Sequence, residues 1–119
     1  MNPLTTPLVL SDLLPRAATL NDEQGWAPFR PGIEIQWLYH TGDEGPRAAL
    51  LRYGPGGRAP LHEHVGYEHV LVLDGAQSDH LGNYPAGCLT INPPGSRHAV
   101  FSESGCVVLI IWERPVRFL

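Results

Sequence analysis

Short runs of β-branched, aromatic and aliphatic residues recur along this chain, and glycine, proline or asparagine closes most of them. A turn signal at intervals of about 8–12 residues is typical of antiparallel strands in a sandwich or barrel. Helical periodicity is almost absent and no strand–helix–strand spacing is visible, so a parallel α/β sheet is not favoured. The predicted strands cover residues 33–40, 47–53, 61–64, 67–73, 77–81, 88–91, 97–102 and 107–112. The chain is therefore predicted to be all-β.

Three local signals refine this pattern. Asp74 and Gly75 form a dipeptide typical of two-residue hairpin turns, so we predict a hairpin between the strands on either side. The run at residues 107–112, VVLIIW, is the most apolar in the chain and predicts a central strand covered on both faces. Residues 25–31, GWAPFRP, are predicted to form a loop anchored by its two aromatic side chains.

The start of the chain has a different character from the rest. Residues 1–24 are predicted to form a short irregular N-terminal arm with one helical turn, capped by Ser11 or Asp12 and kept short by Pro15. Residues 25–119 then form a single domain, because a chain of this length can bury one core but has no space for a second.

The charge pattern argues against two classes of partner. The formal net charge is −4, and the eight Lys and Arg residues are scattered rather than clustered, which does not favour nucleic-acid binding. The N-terminus lacks the basic segment of a signal peptide, and no apolar run approaches the roughly 20 residues of a membrane span. We therefore expect a cytoplasmic protein without a nucleic-acid or membrane partner.

Two cysteines, Cys88 and Cys106, lie in or beside apolar strand-like runs. Free cysteine at such positions behaves as a small buried hydrophobe, and a cytoplasmic setting disfavours a disulfide. We expect two structural thiols; a redox pair or additional metal ligands are the alternative.

Four residues of metal-ligand type lie in two short segments. His62 and His64 point to the same face if they lie on one strand, because side chains alternate with a period of two. Glu68 has the same parity, four residues after His64 across a glycine-containing link. His98 follows a Pro-Pro-Gly turn that sets where its side chain enters the same space. These four residues predict a metal site.

The predicted ligands also narrow the choice of metal. Three imidazoles and one carboxylate suit Fe, Mn, Ni, Cu or Zn and are too rich in nitrogen for Ca or Mg. We expect one divalent transition metal, with Zn, Fe, Ni and Mn as candidates. Glu68 either binds the metal directly or orients a metal-bound water.

Both segments resemble the two signature motifs of the cupin superfamily, with every spacing kept. The first motif runs Gly56, five residues, His62, one residue, His64, three residues, Glu68, six residues, Gly75, and the second runs Gly87, five residues, Pro93, one residue, Gly95, two residues, His98. One position departs from the pattern, since Ser102 stands where Asn is common. The resemblance implies a cupin double-stranded β-helix, a jelly-roll barrel of the RmlC-like type.

Around these motifs, the sequence is similar to the group of cupins related to the C-terminal domain of the ChrR anti-sigma factor. The similarity extends from about residue 26 to residue 118 and is carried by residues 58–61, 66–69, 79–82, Tyr84, Gly87, 94–96, 105–106 and 112–113. It implies a barrel of six to eight strands with a mononuclear metal. It does not imply anti-sigma activity, because the helical domain that contacts sigma in that protein has no room in this chain.

The resemblance leaves two functions open. Similarity to cupin dioxygenases implies a small non-haem, iron-type enzyme that acts on a small dicarbonyl or phenolic ketone, with Fe(II) held by His62, His64 and His98. The alternative is a zinc-binding sensor or ligand-binding module of the ChrR type, without catalytic activity, in which Glu68 completes a closed shell of four ligands. Whether the chain is an enzyme is not decided by these residues. No feature of the sequence favours a metal-dependent isomerase or a sugar-modifying cupin.

The interior and the edges of such a barrel carry two further expectations. A barrel of about eight strands has room for one small-molecule ligand or substrate beside the metal. The residues expected to line an apolar interior are Val70, Val72, Val100 and Ile110. Packing is the expected role of Arg52, Tyr53 and Tyr84, with contact to a polar substrate as the alternative.

Cupins commonly pair through sheet edges, and an N-terminal arm can add a strand to a neighbour, so a homodimer is expected.

Overall fold

The computed structural model describes residues 4–17 and 25–119, which contain ten β-strands and one short helix. In chain order the elements are α1 (Leu13–Arg16), β1 (Ala27–Arg30), β2 (Ile33–His40), β3 (Arg47–Tyr53), β4 (Arg58–Glu63), β5 (Glu68–Asp79), β6 (Gly82–Pro85), β7 (Leu89–Asn92), β8 (Arg97–Phe101), β9 (Cys106–Trp112) and β10 (Arg117–Phe118). The all-β prediction is confirmed. No helix in the described ranges is both long and apolar enough to cross a membrane.

The strands form one curled antiparallel sheet in the order β1-β2-β3-β9-β5-β8-β4-β10, and β6 and β7 also pair with β5. Strand β5 belongs to both halves of the barrel. Its first residues pair with β7 and β9, whereas its last residues pair with β6 and β8. A sheet that shares a long bent strand in this way closes around one interior, which is the predicted jelly-roll arrangement.

The predicted hairpin at Asp74 and Gly75 is wrong, because β5 continues through both residues to Asp79. The pairing of β5 with β9 shifts register between Val72 and Asp74, which marks a β-bulge. Gly75 has φ 73°, a left-handed conformation that glycine adopts without strain, and a Cβ there would overlap the carbonyl oxygen of Gly105. The dipeptide therefore bends one strand between the two halves of the barrel instead of ending it.

Other boundaries differ by a few residues. Strands β2 and β3 have the predicted limits. The prediction of a loop at residues 25–31 is wrong at Ala27–Arg30, which pair with β2 as strand β1. The predicted strand at residues 77–81 is the end of β5 followed by a turn. Ser102, the departure from the cupin pattern, is fully buried and donates a hydrogen bond of 2.6 Å to the carbonyl oxygen of Ala76, so it ties the end of β8 to β5.

The barrel interior holds the main hydrophobic core. The residues predicted to line it, Val70, Val72, Val100 and Ile110, are all buried in this cluster, which confirms that prediction. Aromatic side chains of Tyr53 and Trp112 fill the same interior. The wall of the interior is therefore apolar apart from the few polar groups described below.

A second apolar cluster lies against the outer face of the sheet. Ala17, which directly follows α1, packs there with Leu50, Leu73 and Val107 and covers part of the sheet. The strand at residues 107–112 was predicted to be buried on both faces. Only its start is buried in this way, since Ile111 is 40% exposed. Helix α1 lacks the predicted side-chain cap. Residues 1–3 and 18–24 of the predicted arm lie outside the described residues.

Cys88 and Cys106 are free thiols, as predicted, and Cys106 is buried. Burial raises the pKa of the Cys106 thiol from 9.0 to about 11, against the opposing effect of a hydrogen bond with Ser102. The folded protein therefore keeps this proton at pH values where the unfolded chain has lost it. Burial also raises the pKa of Tyr53, so both groups disfavour the fold at alkaline pH.

We expect the free energy of unfolding to fall as the pH rises from 9 to 11, because the unfolded thiol ionises first. At about 1.4 kcal/mol per unit of pKa, the Cys106 share of this loss is about 2–3 kcal/mol. Urea unfolding measured at several pH values checks the result. The Cys106→Ala variant should show a shallower decline, and an unchanged slope in that variant would contradict the assignment.

Candidate metal centre

Three histidine side chains converge inside one end of the barrel. His62 on β4 pairs directly with His98 on β8, and His64 follows the end of β4. One nitrogen from each ring lies within 4.8 Å of the other two, and all three side chains are buried. The ring centroids are 4.6–5.1 Å apart. The structure therefore brings together three of the four predicted ligands in one compact group.

Backbone hydrogen bonds hold the two ligand-bearing loops against each other. The amide of His64 donates to the carbonyl oxygen of Ser96 at 2.9 Å, and the amide of Gly95 donates to the carbonyl oxygen of His64 at 2.8 Å. The Pro-Pro-Gly turn is thereby clamped to the segment between β4 and β5. This clamp explains why two motifs about 30 residues apart in sequence meet at one site.

Each histidine uses its Nδ1 atom for a hydrogen bond directed away from the group. His62 Nδ1 lies 2.8 Å from the carbonyl oxygen of Pro60, and His64 Nδ1 lies 3.0 Å from that of Ser96. His98 Nδ1 lies 3.0 Å from Oδ2 of Asp79. Because these partners are acceptors, we assign the ring proton to Nδ1, which leaves Nε2 with its lone pair.

The buried Nε2 atoms fit a metal ion. Those of His64 and His98 have no hydrogen-bond partner among the described residues. An unsatisfied buried acceptor costs about 1–3 kcal/mol, and native proteins rarely retain two side by side. Imidazole lone pairs that face one another are the donor set that divalent transition metals prefer. The residues present therefore suit the group that the ligand chemistry implies.

Glu68, the fourth predicted ligand, is the first residue of β5 and is also buried. Its Oε1 atom lies 3.2 Å from His64 Nε2, without the alignment of a hydrogen bond. The Nδ2 group of Asn92 donates to the same oxygen at 3.1 Å and orients the carboxylate. Neighbouring ligand atoms lie about 3 Å apart around an ion with bonds of about 2.1 Å, so this spacing is compatible with ligation.

Burial and the carboxylate control the charge of the rings. Burial lowers the pKa of His62, so this imidazole stays neutral at pH values where free histidine begins to protonate. Burial also acts against the protonation of His64, but the adjacent Glu68 carboxylate outweighs it and raises the pKa. A carboxylate that attracts a proton at this position attracts a divalent cation by the same field.

Asp79, the last residue of β5, positions His98 and was not predicted as part of the site. Its Oδ1 atom accepts hydrogen bonds from the amide of Leu81 at 2.8 Å and from the hydroxyl of Tyr84 at 2.8 Å. Burial favours the protonated acid, but the His98 contact and these donors outweigh it and lower the pKa of Asp79. The carboxylate therefore stays ionised and holds the ring proton of His98 on Nδ1.

The Asp79→Asn variant is expected to bind metal about 10- to 100-fold more weakly, because an amide cannot serve all these partners and hold the same histidine tautomer. Competition titrations against a chelator of known affinity measure the change. Asp43→Asn, in an exposed turn, is the matched control and should leave the affinity unchanged. Equal affinities for the two variants would remove Asp79 from this role.

An apolar cavity of about 60 Å³ adjoins the histidines and is lined in part by Leu51, Val70 and Val100. Tyr53 lies on this cavity, so one of the three residues considered for substrate contact reaches it. Arg52 instead pairs with Glu34 at 2.7 Å. The hydroxyl of Tyr84 donates a hydrogen bond to Asp79, the residue that holds His98. A small molecule beside the metal centre would therefore meet a mostly apolar wall.

The comparisons with known proteins agree with this geometry. The family model described as the ChrR cupin-like domain matches residues 15–114. The anti-sigma-E factor ChrR of Cereibacter sphaeroides is 33% identical over 115 residues, which cover 94% of this chain and 51% of that protein. The chain thus spans about half the length of this relative.

Solved structures extend the agreement to the fold. In the complex of Rhodobacter sphaeroides SigE with the anti-sigma ChrR, the match has a TM-score of 0.67 and 26% identity, and it covers 91% of this chain and 70% of that chain. An acetylacetone dioxygenase from Acinetobacter johnsonii gives a TM-score of 0.77 at 16% identity over 100% of this chain and 80% of that one, which shows a shared fold. With its signature motifs, barrel and histidine group, the chain belongs to the family of ChrR cupin-like domains.

Proposed function

We propose that this chain is a mononuclear metalloenzyme of the cupin dioxygenase type, acting on a small dicarbonyl or phenolic ketone. One observation carries the proposal: the Nε2 atoms of His64 and His98 are buried and unpartnered beside an apolar cavity. His62, His64 and His98 would hold the ion, and Glu68 would either be a fourth ligand or act on a bound water or the substrate. When bound, an iron-type ion would supply a Lewis acid and the redox chemistry that activates O₂.

The protein's own groups have three tasks in this proposal. Asp79 and Ser96 orient His98 and His64 through their Nδ1 atoms. The apolar cavity wall excludes water from the space that the substrate occupies, which strengthens polar interactions there. Glu68, held by Asn92, is placed to accept a proton from an acidic C–H or phenolic O–H if it is not itself bound to the ion.

The test begins with protein purified without oxygen and without chelator. Elemental analysis gives the metal, and iron-loaded protein is then supplied with O₂ and a panel of β-diketones, hydroxyacetophenones and small oxo- and hydroxycarboxylic acids. We expect stoichiometric metal and O₂ uptake that depends on one class of substrate. A fully metal-loaded protein that turns over no member of the panel would reject the enzyme.

The second candidate is a zinc-binding sensor or ligand-binding module without catalytic activity. Two observations favour it: the 33% identity with ChrR over 94% of the chain, and the carboxylate of Glu68 at 3.2 Å from His64 Nε2. Four protein ligands around zinc would form a closed shell that stabilises the fold. X-ray absorption on zinc-loaded protein discriminates the two candidates, since a closed four-ligand shell favours the sensor and metal-bound waters favour the enzyme.

Association and location are further proposals. Three apolar side chains on the outer face of the sheet, Leu89, Ile91 and Ile111, are exposed, and a second copy of the chain could cover them. Sedimentation analysis of the protein checks whether it is a homodimer. A cytoplasmic location stays a prediction from the sequence.

A further inference from the structure

Arg30, the last residue of β1, lies where the cavity beside the histidines meets an outer cavity of about 310 Å³. The two cavities also share Phe29, Trp112, Val116 and Phe118 as walls. The guanidinium carbon of Arg30 lies 3.8 Å from the centre of the Phe118 ring and 5.5 Å from that of Phe29. Arg47 also lines the outer cavity, but of these two arginines Arg30 alone lines both cavities, among aromatic and aliphatic side chains.

The guanidinium of Arg30 has unused hydrogen-bonding capacity. Its Nε atom is buried and has no hydrogen-bond partner among the described residues. None of the carboxylates in the described part of the chain forms an ion pair with Arg30. Arg47, the other arginine of the outer cavity, differs in this respect. It donates to the carbonyl oxygens of Gly42 at 2.6 Å and Asp43 at 2.9 Å, and so its guanidinium is occupied within the fold.

A buried N–H donor on a charged group without an acceptor is unfavourable, and native structures rarely retain one unless a water, an ion or a ligand supplies the acceptor. The rings of Phe29 and Phe118 stabilise the cation by cation–π contact but offer no lone pair. An oxygen of a molecule in the cavities that Arg30 lines can supply the missing acceptor. In this apolar setting the guanidinium forms a stronger hydrogen bond with a charged oxygen than with a neutral one.

The geometry also limits the size of the ligand. Phe118 on β10 pairs with His62 on β4, and their ring centroids are 5.6 Å apart. One aromatic ring thus separates the guanidinium of Arg30 from the histidine group. A molecule with a handful of carbon atoms can contact Arg30 at one end and reach the histidines with an oxygen at the other.

We propose that Arg30 binds the carboxylate of the ligand that occupies this cavity, so that the natural ligand is a small oxo- or hydroxycarboxylic acid. The inference deepens the proposed function and rests on it, since it names the substrate class of the same site. A carboxylate suits the site better than a phosphate, because one guanidinium balances one negative charge and Arg47 is already occupied. Two carboxylate oxygens also match the fork of a guanidinium.

Matched pairs of ligands that differ only in charge test the proposal by calorimetry on the full, zinc-loaded chain. The pairs are 4-oxopentanoate with 4-oxopentanamide, and 4-hydroxybenzoate with 4-hydroxybenzamide. In at least one pair, the acid should bind about 10- to 100-fold more tightly than the amide. In Arg30→Met, which keeps an unbranched apolar chain against the rings, this ratio should fall to about 2 or less, while the affinity for the amide and the zinc content stay unchanged.

Arg30→Lys should retain part of the preference, and Arg58→Gln, a charge change at an exposed arginine, should retain all of it. The proposal is overturned if neither acid binds more tightly than its amide, or if Arg30→Met keeps the ratio. Failure of the proposed enzyme is a separate outcome: O₂ uptake would be absent while the preference for acids and its loss in Arg30→Met remain.

Discussion

The His98→Ala variant is expected to lose its metal, with content falling from about one ion per chain to below about one-tenth. His98 supplies one of three imidazoles that lie within 4.8 Å of one another, and the truncation also leaves Asp79 buried without its histidine partner. An ion bound by fewer protein ligands exchanges with solvent during purification. His62→Ala should have the same effect, because His62 supplies another of the three imidazoles.

Elemental analysis of protein purified without oxygen or chelator measures this loss. His80→Ala is the matched control, since His80 is an exposed histidine one residue after Asp79 and lies outside the group. Circular dichroism establishes that each variant keeps its strands, so that loss of metal is not mistaken for loss of fold. Stoichiometric metal in both His62→Ala and His98→Ala would remove these residues from the metal centre.

The second large effect is expected from Gly75→Ala, which should lower the free energy of unfolding by about 3 kcal/mol or more, or prevent folding. The added methyl group would overlap the carbonyl oxygen of Gly105 on the neighbouring chain segment, and backbone atoms there cannot rotate away as a side chain can. The left-handed φ of 73° adds about 1 kcal/mol of strain for a residue with a Cβ.

Gly87→Ala separates the two contributions. Gly87 also has a left-handed φ, 94°, but a Cβ there meets no atom within 4 Å among the described residues. We therefore expect Gly87→Ala to cost only the backbone strain, about 1 kcal/mol. Urea unfolding of the two variants measures both values. An equal loss of stability in the two variants would show that the contact with Gly105 adds nothing to the backbone strain.

The sequence was sufficient for the fold class and for the gathering of the histidines. Strand alternation was the basis for expecting His62 and His64 on one face, but His64 lies one residue beyond β4. Hydrogen bonds from and to the backbone of His64, with Ser96 and Gly95 as partners, hold it beside the second motif instead. The all-β prediction succeeded for a similar reason. The preferences of residues for turns and strands are local, so their order along the chain carries most of the information about where the strands lie.

The errors arose where distant contacts decide the local structure. Asp74 and Gly75 are a good hairpin signal, yet the approach of Gly105 and the pairing with β9 make them a bulge within one strand. Asp79 lay in the predicted strand at residues 77–81 and was not identified as a site residue, because its role depends on His98, which is 19 residues away on another strand. Arg30 lay in a predicted loop, and its place at the cavity entrance depends on Phe118, near the other end of the chain.

Strand β5 has a consequence for how the metal affects the whole domain. Its first residue, Glu68, lies against His64, and its last residue, Asp79, holds His98, so both ends of one bent strand are connected to the same centre. An ion bound there would cross-link the two halves of the barrel across the bulge between Val72 and Asp74. Loss of the ion would remove this cross-link but not the bend of β5, which the bulge and the close approach of Gly75 to Gly105 set within the chain itself. The metal centre would thereby contribute to the stability of both halves of the barrel through a single strand.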